Sequence, residues 1–143
     1  MPKVSVLLIR SALIWLVLGA GLGSSMLAST TAAPAGWWRA HGELMLIGWC
    51  LQLAMGVAYW ILPKHAAGAA RGNVWLAAAI APLLNAGIAL SLLGWLALVP
   101  DRFLDAARGL ELLAILAFAL VIAPRIKPFG AGRSMPGSRS PSA

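Results

Sequence analysis

Cysteine and charged side chains are scarce in this chain. A single cysteine, Cys50, occurs in 143 residues, so neither a disulfide framework nor a cluster of cysteine metal ligands is available within it. Only 10% of the residues are charged and four are acidic, whereas roughly a quarter of a soluble domain is charged. The eleven Lys and Arg residues do not form a basic face interleaved with aromatic side chains, which argues against nucleic acid as a partner.

Apolar residues fill most of the sequence instead: they make up 61% of it, and the mean hydropathy is +0.86. Four apolar stretches each provide the roughly 20 residues that cross a hydrocarbon layer of about 30 Å as a helix; they lie at about residues 4–28, 41–62, 74–99 and 103–123. The sequence therefore predicts an all-α membrane protein, a four-helix transmembrane up-down bundle over residues 1–127 whose surroundings are the lipid bilayer. The basic segment 128–143 has too little apolar surface to fold and is predicted to be a disordered tail.

The first stretch has a rival interpretation. Lys3 and Arg10, a Leu-rich centre and the small residues of segment 28–35 imitate the three regions of a cleaved signal peptide. We interpret the stretch as an uncleaved helix, from which the Arg10 side chain extends toward the cytoplasmic interface.

Lys and Arg are distributed unequally between the two sides that four spans define. Eight lie on the side of the termini and three on the other, and this excess predicts that both termini are in the cytoplasm. We therefore expect a multi-pass protein of the bacterial inner (cytoplasmic) membrane. The eight are Lys3, Arg10, Lys64, Arg71, Arg125, Lys127, Arg133 and Arg139, and the three are Arg39, Arg102 and Arg108.

The second apolar stretch carries a row of polar, small and sulfur-containing residues at helical spacing. The row starts at His41 and continues through Met45, Gly48 and Gln52. An imidazole near the end of a membrane helix, with glycines a few turns further on, provides a nitrogen ligand for haem iron and a flat gap for the porphyrin. Met45 and Trp49 could contact the edge of such a ring. On the residues alone, a histidine that hydrogen-bonds at the membrane interface is the commoner role.

The residues around His41 form a recognisable motif. Segment 39–64 reads RAHGELMLIGWCLQLAMGVAYWILPK, with Arg-x-His at the start, Gly-Trp about two turns later, Gly-x-x-Tyr and a closing Pro. It resembles the second transmembrane helix of subunit I of the haem-copper oxidases, especially nitric oxide reductase and its close cytochrome oxidase relatives. The resemblance implies that His41 is an axial ligand of a low-spin haem b near the outer face. It also implies electron transfer or redox sensing in a respiratory membrane.

The resemblance is incomplete. A full subunit I has many more helices, and these carry the second ligand of its low-spin haem and the ligands of its oxygen- or nitric oxide-reducing centre. The other histidine, His65, is 24 residues from His41, about 36 Å along a helix, so one haem cannot join the two. Catalysis by this chain alone is therefore not expected.

The second axial ligand has three possible sources. A symmetric homodimer, which we rank first, brings His41 of a second copy to the same iron. The others are a subunit of a respiratory complex and the thioether of Met26, near the outer end of the first helix. The alternative function, from a different class, is a cofactor-free structural or assembly subunit of a respiratory membrane complex.

Four further polar side chains lie inside the predicted spans. Glu43 and Glu111 are expected to form salt bridges near the outer ends, with a proton relay as the alternative; the expected partners are Arg39 and Arg108. The amides of Gln52 and Asn85, near mid-membrane, are expected to join helices by hydrogen bonds, with a polar cavity or a quinone contact as the alternative.

Overall fold

The computed structural model describes residues 1–62 and 74–126, and every regular element among them is helical. Each of the four long helices is long and apolar enough to cross a membrane, so the prediction of an all-α chain with four helices of membrane-spanning length is confirmed. The segment 128–143 and His65 lie outside the described residues. The helices are α1 (Lys3–Ala28), α2 (Ala35–Ile61), α3 (Val74–Trp95) and α4 (Arg102–Ile122), and a 3-10 turn follows at Ala123–Arg125.

Two helix ends differ from the expected ones. α2 begins at Ala35, directly after Pro34 and six residues before the expected start. The expected start excluded this first part because the aromatic pair Trp37–Trp38 and the charged Arg39 mark a membrane interface and not the apolar interior. α3 ends at Trp95 rather than near residue 99, since the chain turns at Ala97, whose φ of 58° is in the left-handed region that commonly ends helices.

The middle of α2 is wound as a π-helix. Residues Leu44–Leu51 form this stretch, and the backbone N–H of Gln52 after it donates to the carbonyl of Ile47, five residues earlier. π-winding is rare and is usually limited to a single turn. α-Helical spacing, such as that of the row that begins at His41, therefore does not hold strictly along this helix.

Helices α1 and α2 approach each other closely at glycines. In order along α1, the contacts pair Ser5 with Gly56, Trp15 with Gly48, Gly19 with Met45 and Gly23 with His41. The order is reversed along α2, so the two helices run in opposite directions where they touch. Because lipid gives helices no hydrophobic reason to associate, this close packing and the hydrogen bond from Ser5 Oγ to the Gly56 carbonyl hold the pair together.

Polar contacts join this pair to the other two helices. Trp15 Nε1 donates to Asn85 Oδ1 on α3 over 2.7 Å, as expected for an amide that links helices. Arg125, just after α4, is 1% exposed and donates from Nη2 to the carbonyls of Tyr59 (3.0 Å) and Leu62 (2.5 Å) at the end of α2. Arg125 is therefore a buried packing element rather than a free charge of a loop.

Replacing Gly48 with alanine should destabilise the protein. A Cβ at this position would lie 2.9 Å from both Cβ and Cγ of Trp15, which is too close without a shift of one helix. Overpacking of this kind lowers the stability of a protein by about 1–3 kcal/mol. We therefore expect Gly48→Ala to show a lower midpoint of thermal unfolding in detergent than the wild type. The matched control is Gly21→Ala, since nothing lies within 4 Å of a Cβ there. Equal midpoints for the two variants would contradict the Trp15 contact.

Candidate functional site

The imidazole of His41 is held between α2 and α1. Its Nδ1 lies 2.9 Å from the backbone carbonyl oxygen of Gly19. The ring also lies directly against Gly23, where an added Cβ would be 2.7 Å from Cε1 and 3.0 Å from Nδ1. The ring can take this position only because Gly23 has no side chain. Two contacts from α1 thus fix the orientation of a half-buried histidine.

The contact with Gly19 also determines which ring nitrogen carries the hydrogen. A carbonyl oxygen only accepts, so Nδ1 of His41 is the donor, and in the neutral ring Nε2 then has a free lone pair. Within the described residues the imidazole makes no other hydrogen bond. A backbone carbonyl on one nitrogen is the arrangement that commonly orients a metal-binding histidine, with the other nitrogen as ligand.

The imidazole opens onto a groove at the end of the molecule where α1 ends and α2 begins. The groove has a volume of about 350 Å³, toward the lower end of the range of about 300–1,000 Å³ for ligand sites. Its walls are mainly apolar, and it brings His41 together with Met26, which is 8% exposed. We call it the His41 groove; its lining residues are Ala20, Gly23, Ser24, Met26, Leu27, Trp38 and His41.

The other four predicted site residues do not line the His41 groove. Met45 packs on Gly19 of α1, and Gln52 is fully buried further along α2. The flat gap expected beside Gly48 is filled by the side chain of Trp15, which corrects that expectation. Trp49 is half-buried within the π-helical stretch. His41, Met45 and Gly48 of that row nevertheless all contact α1, so the row forms one face of α2 although only His41 reaches the groove.

The residues that sequence reasoning missed come mostly from α1. The Gly19 carbonyl and the wall residues Ala20 and Leu27 were not considered, because a pattern along one helix does not identify its neighbour. One signal was present: Gly19 and Gly23 are four residues apart, a spacing that marks a close helix contact in membranes. Paired with the histidine of the next helix, that spacing would have located the groove.

No protein-family model, curated protein or solved structure matches this chain. The chemistry of the His41 groove therefore has to indicate the function. The groove offers His41, whose Nε2 has no hydrogen-bond partner among the described residues, in apolar surroundings with a thioether nearby. An imidazole and a thioether suit the iron of a haem. The porphyrin supplies the equatorial ligands of such an iron, so the protein has to supply only axial ones.

A second polar cluster lies on the other side of α2 and is built around Arg108 of α4. Arg108 Nη1 lies 2.9 Å from Glu43 Oε1 and 2.7 Å from Glu111 Oε2, and Nη2 lies 2.5 Å from Glu43 Oε2. Ser91 Oγ on α3 donates to Glu111 Oε1 over 2.9 Å. Glu43 and Glu111 are 6% and 3% exposed, so one guanidinium hydrogen-bonds to two buried carboxyl groups and joins α2 to α4.

Two expectations about polar partners are corrected by the structure. Arg39 does not pair with Glu43; its guanidinium lies over the ring of Trp95, 5.1 Å from the centroid. Gln52 does not join helices within the described residues, because neither atom of its amide group has a hydrogen-bond partner there. Partner choice between helices depends on their rotation about their axes, which the pattern along a single helix does not contain.

Replacing Arg108 with methionine should destabilise the protein strongly. The change leaves two carboxylates buried without their cation, and breaking one member of a buried ion pair costs about 3–5 kcal/mol. Because the Arg108 side chain is 43% exposed, we expect a loss near 3 kcal/mol or less, measured as unfolding free energy in detergent. Arg102→Met is the matched control, since Arg102 is exposed and forms no ion pair with described residues. An equal loss in both variants would contradict a structural role of the cluster.

Proposed function

We propose that this chain is a haem b-binding module of a respiratory membrane complex, with Nε2 of His41 as an axial ligand, that transfers or senses electrons. The observation that carries the proposal is the contact between His41 Nδ1 and the Gly19 carbonyl, which leaves Nε2 free in the neutral ring. The resemblance of segment 39–64 to a haem-binding helix of the haem-copper oxidases supports the same nitrogen. Bound haem would supply an iron that is oxidised and reduced by one electron. We do not propose that the chain itself reduces oxygen or nitric oxide.

The residues of the groove suit this cofactor. Leu27 and Trp38 provide apolar and aromatic wall surface for a macrocycle, and the missing side chain of Gly23 keeps the imidazole against α1. An apolar wall limits the access of water to the iron, which is one of the ways in which a protein tunes its potential. The role of the chain is to orient His41 and to exclude solvent on one side of the ring.

The second axial ligand is proposed to come from a second copy or from Met26. A symmetric dimer remains the favoured oligomer, with His41 of each copy on one iron and one haem for two chains. The presence of Met26 in the same groove as His41 supports the single-chain arrangement, which has one haem per chain. The ratio of bound haem to protein distinguishes the dimer from the single-chain arrangement. If a subunit of a respiratory complex supplies the ligand instead, haem should bind only when that subunit is present.

We further propose that the helices form an up-down bundle in the bacterial inner membrane with both termini in the cytoplasm. The reversed order of contacts between α1 and α2 supports the up-down arrangement. So does the contact order between α2 and α4, where Glu43 pairs with Arg108 and Tyr59 with Arg125. The excess of Lys and Arg on the side of the termini supports the orientation.

A cofactor-free structural or assembly subunit is the second candidate. The observation that favours it is the Trp15 side chain against Gly48, because it fills a space that a porphyrin was expected to occupy. Such a subunit would use its helix surface to contact a respiratory complex and would bind no haem.

The first test is haem binding by the purified full chain in mild detergent. After addition of haem b we expect a Soret band that is abolished by His41→Ala, because the axial nitrogen is lost. His65→Ala, which removes the only other histidine, should leave the band unchanged. A wild-type protein without a Soret band before and after haem addition would exclude the cytochrome and favour the cofactor-free subunit.

The second test moves the imidazole without removing it. In Gly23→Ala the added methyl group would collide with Cε1 of His41, so we expect a shifted Soret maximum and an affinity for haem lower by about 10–100-fold, the range seen when the support of a metal ligand is disturbed. Gly21→Ala, with open space around its Cβ, should bind haem like the wild type. Identical spectra and affinities for the two variants would mean that the contact with Gly23 does not position the ligand.

A further inference from the structure

The first turns of α1 present two cations on the side that faces away from α2. Lys3 and Arg10 are exposed, whereas Ser5 and Leu8 are fully buried against the bundle. Seven residues make about two helical turns, so the two cations share one face of α1. They line an open cavity of about 400 Å³, and the other lining residues are Met1, Val6 and Leu7.

The described part of the chain does not neutralise these two charges. Neither Lys3 nor Arg10 makes an ion pair or a side-chain hydrogen bond within residues 1–62 and 74–126, where both ion pairs involve Arg108. The residues that line the cavity include no Asp or Glu. The anion that balances the two cations must therefore come from the surroundings.

The depth of Arg10 indicates what those surroundings are. At 1.5 Å per residue, Arg10 lies about 10 Å further along the helix than Lys3, inside a 26-residue helix of membrane-spanning length. A guanidinium at such a depth is costly unless it reaches the interface or pairs with an anion. Side chains of a helix tilt toward its N-terminus, which directs Arg10 toward Lys3. The long side chain can therefore reach the level of the lipid phosphates.

We propose that Lys3 and Arg10 bind the phosphodiester of an anionic phospholipid, whose acyl chain lies along Val6 and Leu7. The guanidinium donates to two oxygens of the phosphate, and the ammonium of Lys3 contacts the same group from the interface. An anionic lipid fits better than a zwitterionic one, because the cationic headgroup of the latter would repel Lys3. This site is separate from the His41 groove and does not depend on haem.

The test is lipid retention by the full chain in detergent, measured by native mass spectrometry. With equal amounts of phosphatidylglycerol and phosphatidylcholine added, we expect the wild type to retain phosphatidylglycerol selectively. The double variant Lys3→Gln/Arg10→Gln should retain it at least about fivefold less. The matched control, Arg39→Gln/Arg102→Gln, removes the same number of exposed cations near the other end of the molecule and should retain phosphatidylglycerol like the wild type.

Several results would overturn the proposal. One is equal retention of both lipids by the wild type. Another is undiminished retention of phosphatidylglycerol by Lys3→Gln/Arg10→Gln. A third is a loss in the control variant as large as the loss in that double variant. Lys3→Arg/Arg10→Lys keeps both charges and should stay within about twofold of the wild type, which separates lost binding from lost folding. Inorganic phosphate at millimolar concentration should not displace the lipid. Displacement would mean that the site takes a free anion instead of a lipid.

Discussion

The close approach of α1 and α2 at glycine positions is the constraint on which the candidate site depends. In lipid, apolar surface gives helices no reason to associate, so contact requires backbones close enough for dispersion and for hydrogen bonds to carbonyl groups. The absence of a side chain at Gly23 allows the His41 ring to lie against α1, and the Gly19 carbonyl then sets its tautomer. The chemistry at His41 is therefore a property of the helix pair and not of one motif.

The spans of the fold could be predicted because they depend on composition alone. Four apolar stretches of sufficient length become helices in lipid, since their backbone groups have no other partners. The π-helical stretch at Leu44–Leu51 could not be predicted, because hydrophobic spacing assumes an α-helix from the start. The start of α2 at Ala35 could not be predicted either, because Trp37, Trp38 and Arg39 are typical of a membrane interface and do not show whether the helix has already begun.

Two residues of the candidate site could be predicted, but their surroundings could not. His41 is conspicuous in an apolar segment, and Met26 follows from its depth on the first helix, so both could be singled out from the sequence. Their neighbours depend on how α1 and α2 are rotated about their axes, which no single-helix pattern contains. The same holds for ion pairs. The sequence indicates that Glu43 needs a cationic partner, but it does not contain the relative rotation of α2 and α4, which makes Arg108 that partner and not Arg39.

The π-winding of α2 has a geometric consequence for both of its ends. Each residue of an α-helix advances the azimuth by about 100°, so one residue absorbed by wider winding offsets everything beyond it by roughly that angle. His41 contacts Gly19 before the wide turns, and the Tyr59 carbonyl accepts a hydrogen bond from Arg125 beyond them. The wide turns thus set the angle between the surfaces that α2 presents to its neighbours at its two ends.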